Sequence, residues 1–407
     1  MTSAVVDQAT GNLEVAGRPV FPIVLSDPPP QNSTAPNSGL NAWAEIAAAG
    51  VTFVRNYTVW TADGLAEQLI AVGEELDAAP GHGLQLWLGL AGVANDLSHE
   101  AMLDRIVKTF EGHPGLGLWK GVDEPAHGHV PAAGCIAVYE HLRSIDPHHP
   151  VVIIEAPRGP GPKPGSPDTR LTAAAISPYA PACDIHGIDI YPLPPGAHAG
   201  GPPVNTDISV VGDMTTILAQ ATKRKALWTT LQIAWSGVFP PHRVVFPTLQ
   251  QARFMAYDAI VAGARGLAFF GGQFKQVMSA ADRERGWNWS YWSHVQRPLL
   301  VELTDAAHRA ALTAPKSTRT IKASASDIAL SVREAAGFLY LIAVRKSPSL
   351  TGGVRFSGLP AGVAGGTVLE HPGNPARHVE VAGGRFEDPS PFAPHNARVY
   401  RFQLPAS

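Results

Sequence analysis

The sequence predicts an α/β chain: a closed (β/α)8 TIM barrel over residues 1–315, followed by a small all-β antiparallel sandwich over 316–407. Three observations lead there. Short, nearly continuous apolar runs alternate with longer stretches of helical period, as parallel strands covered by helices should. Polar and aromatic residues gather just after those runs. A doubly wound sheet shares the local pattern, but in a closed barrel all the strand ends meet in one mouth, which favours the barrel. Beyond Pro315 the helical period disappears, and short alternating runs separated by Gly, Pro and Ser replace it.

The expected elements run in order. Residues 20–26 form a first buried strand, and 40–50 a helix closed by Gly50. Strand and helix then pair at 52–57 with 62–78, 84–90 with 99–111, 116–124 with 131–145, and 151–155 with 169–180. The pairs 185–191 with 206–222 and 226–233 with 247–262 follow, and 267–270 leads through an aromatic loop to a helix near 296–313. In the tail, strands are expected at 321–325, 328–333, 338–345, 353–356, 366–370, 378–381 and 398–402. Pro- and Gly-rich stretches at 157–167 and 192–203 read either as surface connections or as long loops on the rim of the mouth.

Composition narrows the partner. With 407 residues, 45% hydrophobic and 16% charged, the chain can bury a large core. A formal charge of −3 gives no electrostatic case for nucleic acid or an anionic membrane, and points to a neutral or small-molecule partner. Cys135 and Cys183 are too few for a disulfide framework, and two buried thiols are favoured over a bridge. The first residues lack a basic and an apolar region, and no run of about 18 apolar residues exists. The expectation is a soluble chain, cytoplasmic, or secreted if an export signal has been removed. His127 and His129 read as loop histidines, as do His148 and His149, so no metal and no cofactor is expected. Phosphate-binding, dinucleotide and nucleophile-elbow motifs are absent.

The chemistry-bearing groups are carboxylates at strand ends. Asp123-Glu124-Pro125 closes the fourth strand, which is apolar up to Val122, so its acids belong at the mouth unless they cap the next helix. Glu155 ends the fifth strand and Asp189 the sixth, in Asp189-Ile190-Tyr191-Pro192. Two carboxyls flanking one bond are what glycoside hydrolysis needs: one protonates the leaving oxygen, the other attacks the sugar or activates water. Glu124 is the expected general acid, with Asp189 first and Glu155 second for the other role. A salt bridge or loop cap remains the alternative for Asp189, and a pair with Arg158 for Glu155.

Gly121-Val122-Asp123-Glu124-Pro125 resembles the Asn-Glu-Pro segment of the retaining glycosidase superfamily called clan A, where the strand-four Glu is the acid/base. Residues 113–119 before it, the opening 13–22, and 247–266 also resemble segments of such barrels, in the same order. The resemblance covers most of residues 10–313 and implies a glycoside hydrolase with a carbohydrate substrate. It departs at strand seven, where clan A has its nucleophilic Glu and this chain has Gln232. An amide cannot form a glycosyl ester or act as a base at neutral pH. The Asp189 pairing, across a non-adjacent strand, favours inversion as the hypothesis.

Sugar rings stack on aromatic planes while their hydroxyls take polar partners. Tyr57, Tyr191, Trp235 and Trp289 are the expected stacking residues. Asp27, Arg55, Asp123, Gln232, Gln273 and Asn288 are the expected polar contacts, and residues 286–292 read as a substrate-facing loop. Two rival readings stand beside the hydrolase: a sugar-binding barrel without turnover, and a metal-dependent sugar isomerase or lyase using Glu155, Asp189 and His186.

Overall fold

A computed structural model describes residues 4–159, 163, 169–194, 205–223, 226–348 and 353–405. Eight strands close a parallel barrel in chain order: β1 (Ile23–Leu25), β2 (Phe53–Asn56), β3 (Gln85–Gly89), β4 (Leu116–Asp123), β5 (Val151–Glu155), β6 (Ile185–Ile190), β7 (Ala226–Gln232) and β8 (Gly266–Phe270). The last pairs with the first, Ala268 opposite Val24. Every strand sends side chains into one interior cluster, including Val24, Phe53, Trp87, Leu118, Val152, Ile185, Trp228 and Ala268. Trp87 and Trp228 meet edge to face at 6.0 Å within it. The alternate residues, such as Leu25, Val54, Trp119, Ile153, Ile188 and Leu231, pack outward in the helix-covered core. Both faces being buried explains why these strands read as unbroken apolar runs.

The helices follow their local signals. Ala42–Ala48 begins at Asn41, whose side chain caps two amides. Leu249–Ala262 begins with a capping box between Thr248 and Gln251 and stops at Gly263. The helix expected at 169–180 is broken up: Thr169–Arg170 pairs with Arg158–Gly159, and a single α-turn at Ala173–Ile176 runs into a 3-10 stretch, Ser177–Ala182. Pro178 and Pro181 remove the amide donors that a continuous helix would need. Three short antiparallel strands, Ala4–Val6, Leu13–Val15 and Arg18–Val20, precede the barrel. Ala4, Val6 and Leu13 pack against Phe53, Ile185 and Ala226, the first residues of β2, β6 and β7, and so cover the end opposite the mouth.

After the barrel come two antiparallel sheets. Five strands run in the order Ile328–Ala335, Phe338–Arg345, Asn396–Gln403, Gly365–Val368 and Arg377–Glu380. Three more, Lys322–Ala323, Val354–Ser357 and Arg385–Asp388, form the facing sheet, the last of them unpredicted. Leu339, Leu341, Phe356, Phe386 and Phe402 fill the space between. The other face of the larger sheet supplies Tyr340, Ile342, Val344 and Val399 to the barrel's own core. Both cysteines are free and buried. Among the described residues, no helix is long and apolar enough to cross a membrane. Most of the Pro- and Gly-rich stretches at 157–167 and 192–203 lie outside the described residues.

Candidate active site

A cavity of about 520 Å³ opens where the strands end, within the usual range for small-ligand sites. Arg55 and Tyr57 follow from β2, Asp123 and Glu124 from β4, Asp189 and Tyr191 from β6, Thr230 and Trp235 from β7, and Phe270 from β8. Ser26, His127, Arg158, Phe239 and Phe274 complete much of the rim.

Glu124 stands one residue past β4 in the left-handed region, φ +47°. A non-glycine residue there costs on the order of 1–2 kcal/mol and persists only where its surroundings hold it. Its amide donates to the Ile154 carbonyl at 2.7 Å, and its carbonyl accepts from the Gly128 amide at 2.9 Å. Its carboxyl lies within hydrogen-bond range of Asp189. Asp189 is buried, with Tyr191 donating its hydroxyl to one oxygen at 3.2 Å and no donor on the other. Burial first, then the charge of Glu124, holds the Asp189 carboxyl well above its usual range. A carboxyl so buried beside a second acid keeps its proton to higher pH than a free one.

Asp123 is the opposite case. Lys120 Nζ lies 3.0 Å from one of its oxygens and Arg55 Nη2 3.0 Å from the other. Burial would push this carboxyl up, but the charges of Lys120 and Arg55 outweigh it and hold Asp123 well below the usual carboxylate range. The Arg55 guanidinium also covers the Tyr57 ring, 4.1 Å from its centroid. Opposite lies an aromatic wall: Tyr191 stacks on Phe270 at 5.2 Å, and Trp235 and Phe274 flank that pair.

The other expected residues lie off the cavity surface. Asp27 is buried at the end of β1, accepting from the Gly271 amide at 2.5 Å and from Gln273 Nε2 at 2.8 Å. Burial raises its carboxyl to about 6. Gly271 takes φ +101° there, and a Cβ would fall 2.0 Å from the Ala234 carbonyl oxygen, so only glycine fits. Gln232 spends both amide groups on the Leu193 backbone. Residues 286–292 do not form a substrate-facing loop: Trp287, Trp289 and Trp292 are buried against one another, and Tyr291 is buried against Phe246. Asn288 is buried too, its side-chain oxygen capping the Tyr291 amide. Hydrophobicity decides that segment, since four large rings in seven residues cover more area inside than a sugar would cover outside.

Glu155 and His186 also miss the cavity. On β5 the interior positions are Val152 and Ile154, so Glu155 points outward, where it meets His186 Nε2 at 3.1 Å. Asp189 points inward, and the isomerase or lyase set is therefore not brought together. Among the described residues, no group of three or more His, Cys, Asp and Glu side chains is placed to hold a metal ion. Arg158, Thr230, Phe239 and Phe274 line the cavity without having been singled out for it; the place of Thr230 near the end of β7, and of the others after β5, β7 and β8, was the available signal.

No family model and no curated protein matches this chain. Solved structures do. One glycoside hydrolase superposes with a TM-score of 0.66 at 11% identity, covering 100% of this chain and 97% of its own. An α-amylase from Geobacillus thermoleovorans, solved with acarbose, reaches 0.57 at 11% identity over 95% and 99%. A GH30 endoxylanase from Clostridium papyrosolvens C71 reaches 0.54 at 10% identity over 99% and 100%. At these identities the common property is architecture: this chain has the fold of glycoside hydrolases, a closed parallel barrel followed by an antiparallel all-β region.

Proposed function

We propose that the chain hydrolyses a glycosidic bond in an oligosaccharide or glycoside, with Glu124 as proton donor and Asp189 as its partner. The observation that supports this is the meeting of two carboxyls, Glu124 and the buried Asp189, at the barrel mouth beside an aromatic wall. The reaction needs one of the two as an acid and the other as an anion. Substrate entering the cavity parts the two groups. Glu124 gives its proton to the leaving oxygen as the glycosidic C–O bond breaks, and the Asp189 carboxylate bonds to the anomeric carbon. Water, deprotonated by Glu124, then cleaves that ester and restores the pair. The product keeps its configuration. Asp123 and Arg55 bind sugar hydroxyls, while Tyr57, Tyr191 and Trp235 offer stacking planes; no cofactor takes part.

A sugar-binding barrel without turnover is the second reading, favoured by Gln232, which leaves strand seven without a carboxylate. A screen of chromogenic glycosides with product anomers followed by NMR separates the two. Hydrolysis with retained configuration supports the first; oligosaccharide binding by calorimetry with no release from any glycoside supports the second.

A further inference from the structure

We propose that Glu155 is a positioning residue: paired with His186 behind the barrel wall, it holds the Glu124 segment in register with the strand that carries Asp189. The hydrolase reading enters only through the activity measured below; the geometry stands without it.

The Glu155 and His186 side chains are both fully buried, at 0% exposure. The two oxygens of Glu155 serve two donors. Oε2 accepts the Ala126 amide at 3.2 Å, and Oε1 accepts from His186 Nε2 at 3.1 Å. Ala126 lies two residues after Glu124, and His186 three residues before Asp189. One carboxylate thus ties the turn after β4 to β6, the elements that carry the two acids. The carbonyl of Ile154, next to Glu155, takes the Glu124 amide at 2.7 Å. Tyr179 braces the same turn, its hydroxyl donating to the Val130 carbonyl at 2.7 Å and reaching the Pro125 carbonyl at 3.3 Å.

These anchors explain how Glu124 keeps a left-handed backbone that its own side chain disfavours. With its amide and that of Ala126 both fixed to β5, the intervening peptide cannot relax, and the Glu124 side chain is directed across the mouth. Without the Glu155 anchor, relaxation of the turn would carry Glu124 away from Asp189. An ordinary buried ion pair stabilises two strands; this one reaches the backbone two residues beyond the acid.

The test uses Glu155→Leu/His186→Phe, which removes both polar groups and leaves no buried charge unpaired. Glu155→Asp withdraws the carboxylate by one methylene, and Glu155→Gln keeps an acceptor for the Ala126 amide. Folding is checked by circular dichroism, and the Asp189 carboxyl is titrated by 13C NMR in selectively labelled protein. In the double variant its midpoint is expected to fall as Glu124 moves away, while burial, the larger cause, keeps it above the ordinary value near 3.9. On the best glycoside, kcat is expected to drop by about a hundredfold with KM nearly unchanged, the cost of a misplacement of about 1 Å. Glu155→Asp should shift both quantities the same way to a smaller degree, and decides the matter if the double variant does not fold. Glu155→Gln should stay close to wild type. A folded variant, double or Asp, with the wild-type Asp189 titration overturns the proposal. If wild type cleaves no glycoside, the hydrolase reading alone fails, and the titration still decides the positioning role.

Discussion

Gln232 clasps Leu193 with both ends of its amide: its oxygen accepts the Leu193 N–H at 2.9 Å, and its nitrogen donates to the Leu193 carbonyl at 3.0 Å. The same carbonyl accepts Trp235 Nε1 at 2.7 Å. A backbone unit presenting one donor and one acceptor is matched by an amide and by no carboxylate, so Gln232 ties the segment after β6 to the end of β7.

Gln232→Glu is therefore expected to weaken the fold and to create no nucleophile. At neutral pH it would set an anion against a buried carbonyl, at a cost of about 1–3 kcal/mol. Urea unfolding at pH 7 reads that loss. A variant as stable as wild type with raised glycosidase activity would refute the structural role.

Glu124→Gln removes the proton donor and keeps the shape of the side chain. Turnover is expected to fall by about 10²–10⁴-fold, while the dissociation constant for an oligosaccharide, measured by calorimetry, stays within a few fold. Asp189→Asn should also abolish turnover. Equal losses of binding and turnover in Glu124→Gln would contradict its assignment as the acid.

Asp258, away from the mouth, makes stability depend on pH. It is buried, accepts the Gly212 amide at 2.8 Å and lies 3.7 Å from Lys346. Burial raises its carboxyl from 3.8 to about 7, opposed by Lys346. The folded state thus binds this proton more tightly than the unfolded chain. The stabilisation is complete below pH 3.8 and is lost as pH rises through about 7. At full ionisation the loss is on the order of 4 kcal/mol. In Asp258→Asn this contribution should vanish, so the difference from wild type in urea unfolding grows in the mutant's favour between pH 4 and pH 8. A constant difference across that window would show that Asp258 does not titrate there.

Arg253 joins the barrel to the sheets. It binds Glu302 through Nε at 2.8 Å and donates to the Ala397 carbonyl at 2.7 Å. Tyr257 donates to the same carboxylate at 2.7 Å. Arg253→Ala leaves Glu302 buried without its cation, and a loss of about 3–5 kcal/mol is expected. Arg253→Met/Glu302→Leu, which removes both charges, should lose much less. Denaturant midpoints of the two variants check the comparison; equal losses would mean that packing, not charge, holds this contact.

The order of barrel elements was legible because burial on both faces writes an apolar run that no neighbour can disguise, and helix ends such as Thr248 and Gly263 carry their own chemistry. Glu124 and Asp123 were legible as mouth acids because they end an apolar strand. Strand parity was a weaker guide: Glu155 also ends a strand, yet faces outward, because Val152 and Ile154 take the interior. The aromatic segment 286–292 misled for a related reason, since a run of rings looks the same in sequence whether it covers a sugar or fills a core.

By itself, then, the sequence determined the eight-fold alternation, the antiparallel tail and the presence of an acid at the end of strand four, all set by local periodicity and burial. Tertiary structure alone decided which carboxyls meet. Asp189 and Glu124 come into hydrogen-bond range across a closed mouth, Asp123 is claimed by Lys120 and Arg55, and Glu155 is turned to His186. Those pairings depend on barrel closure and side-chain parity, which act between residues far apart in the chain and leave no local mark on it.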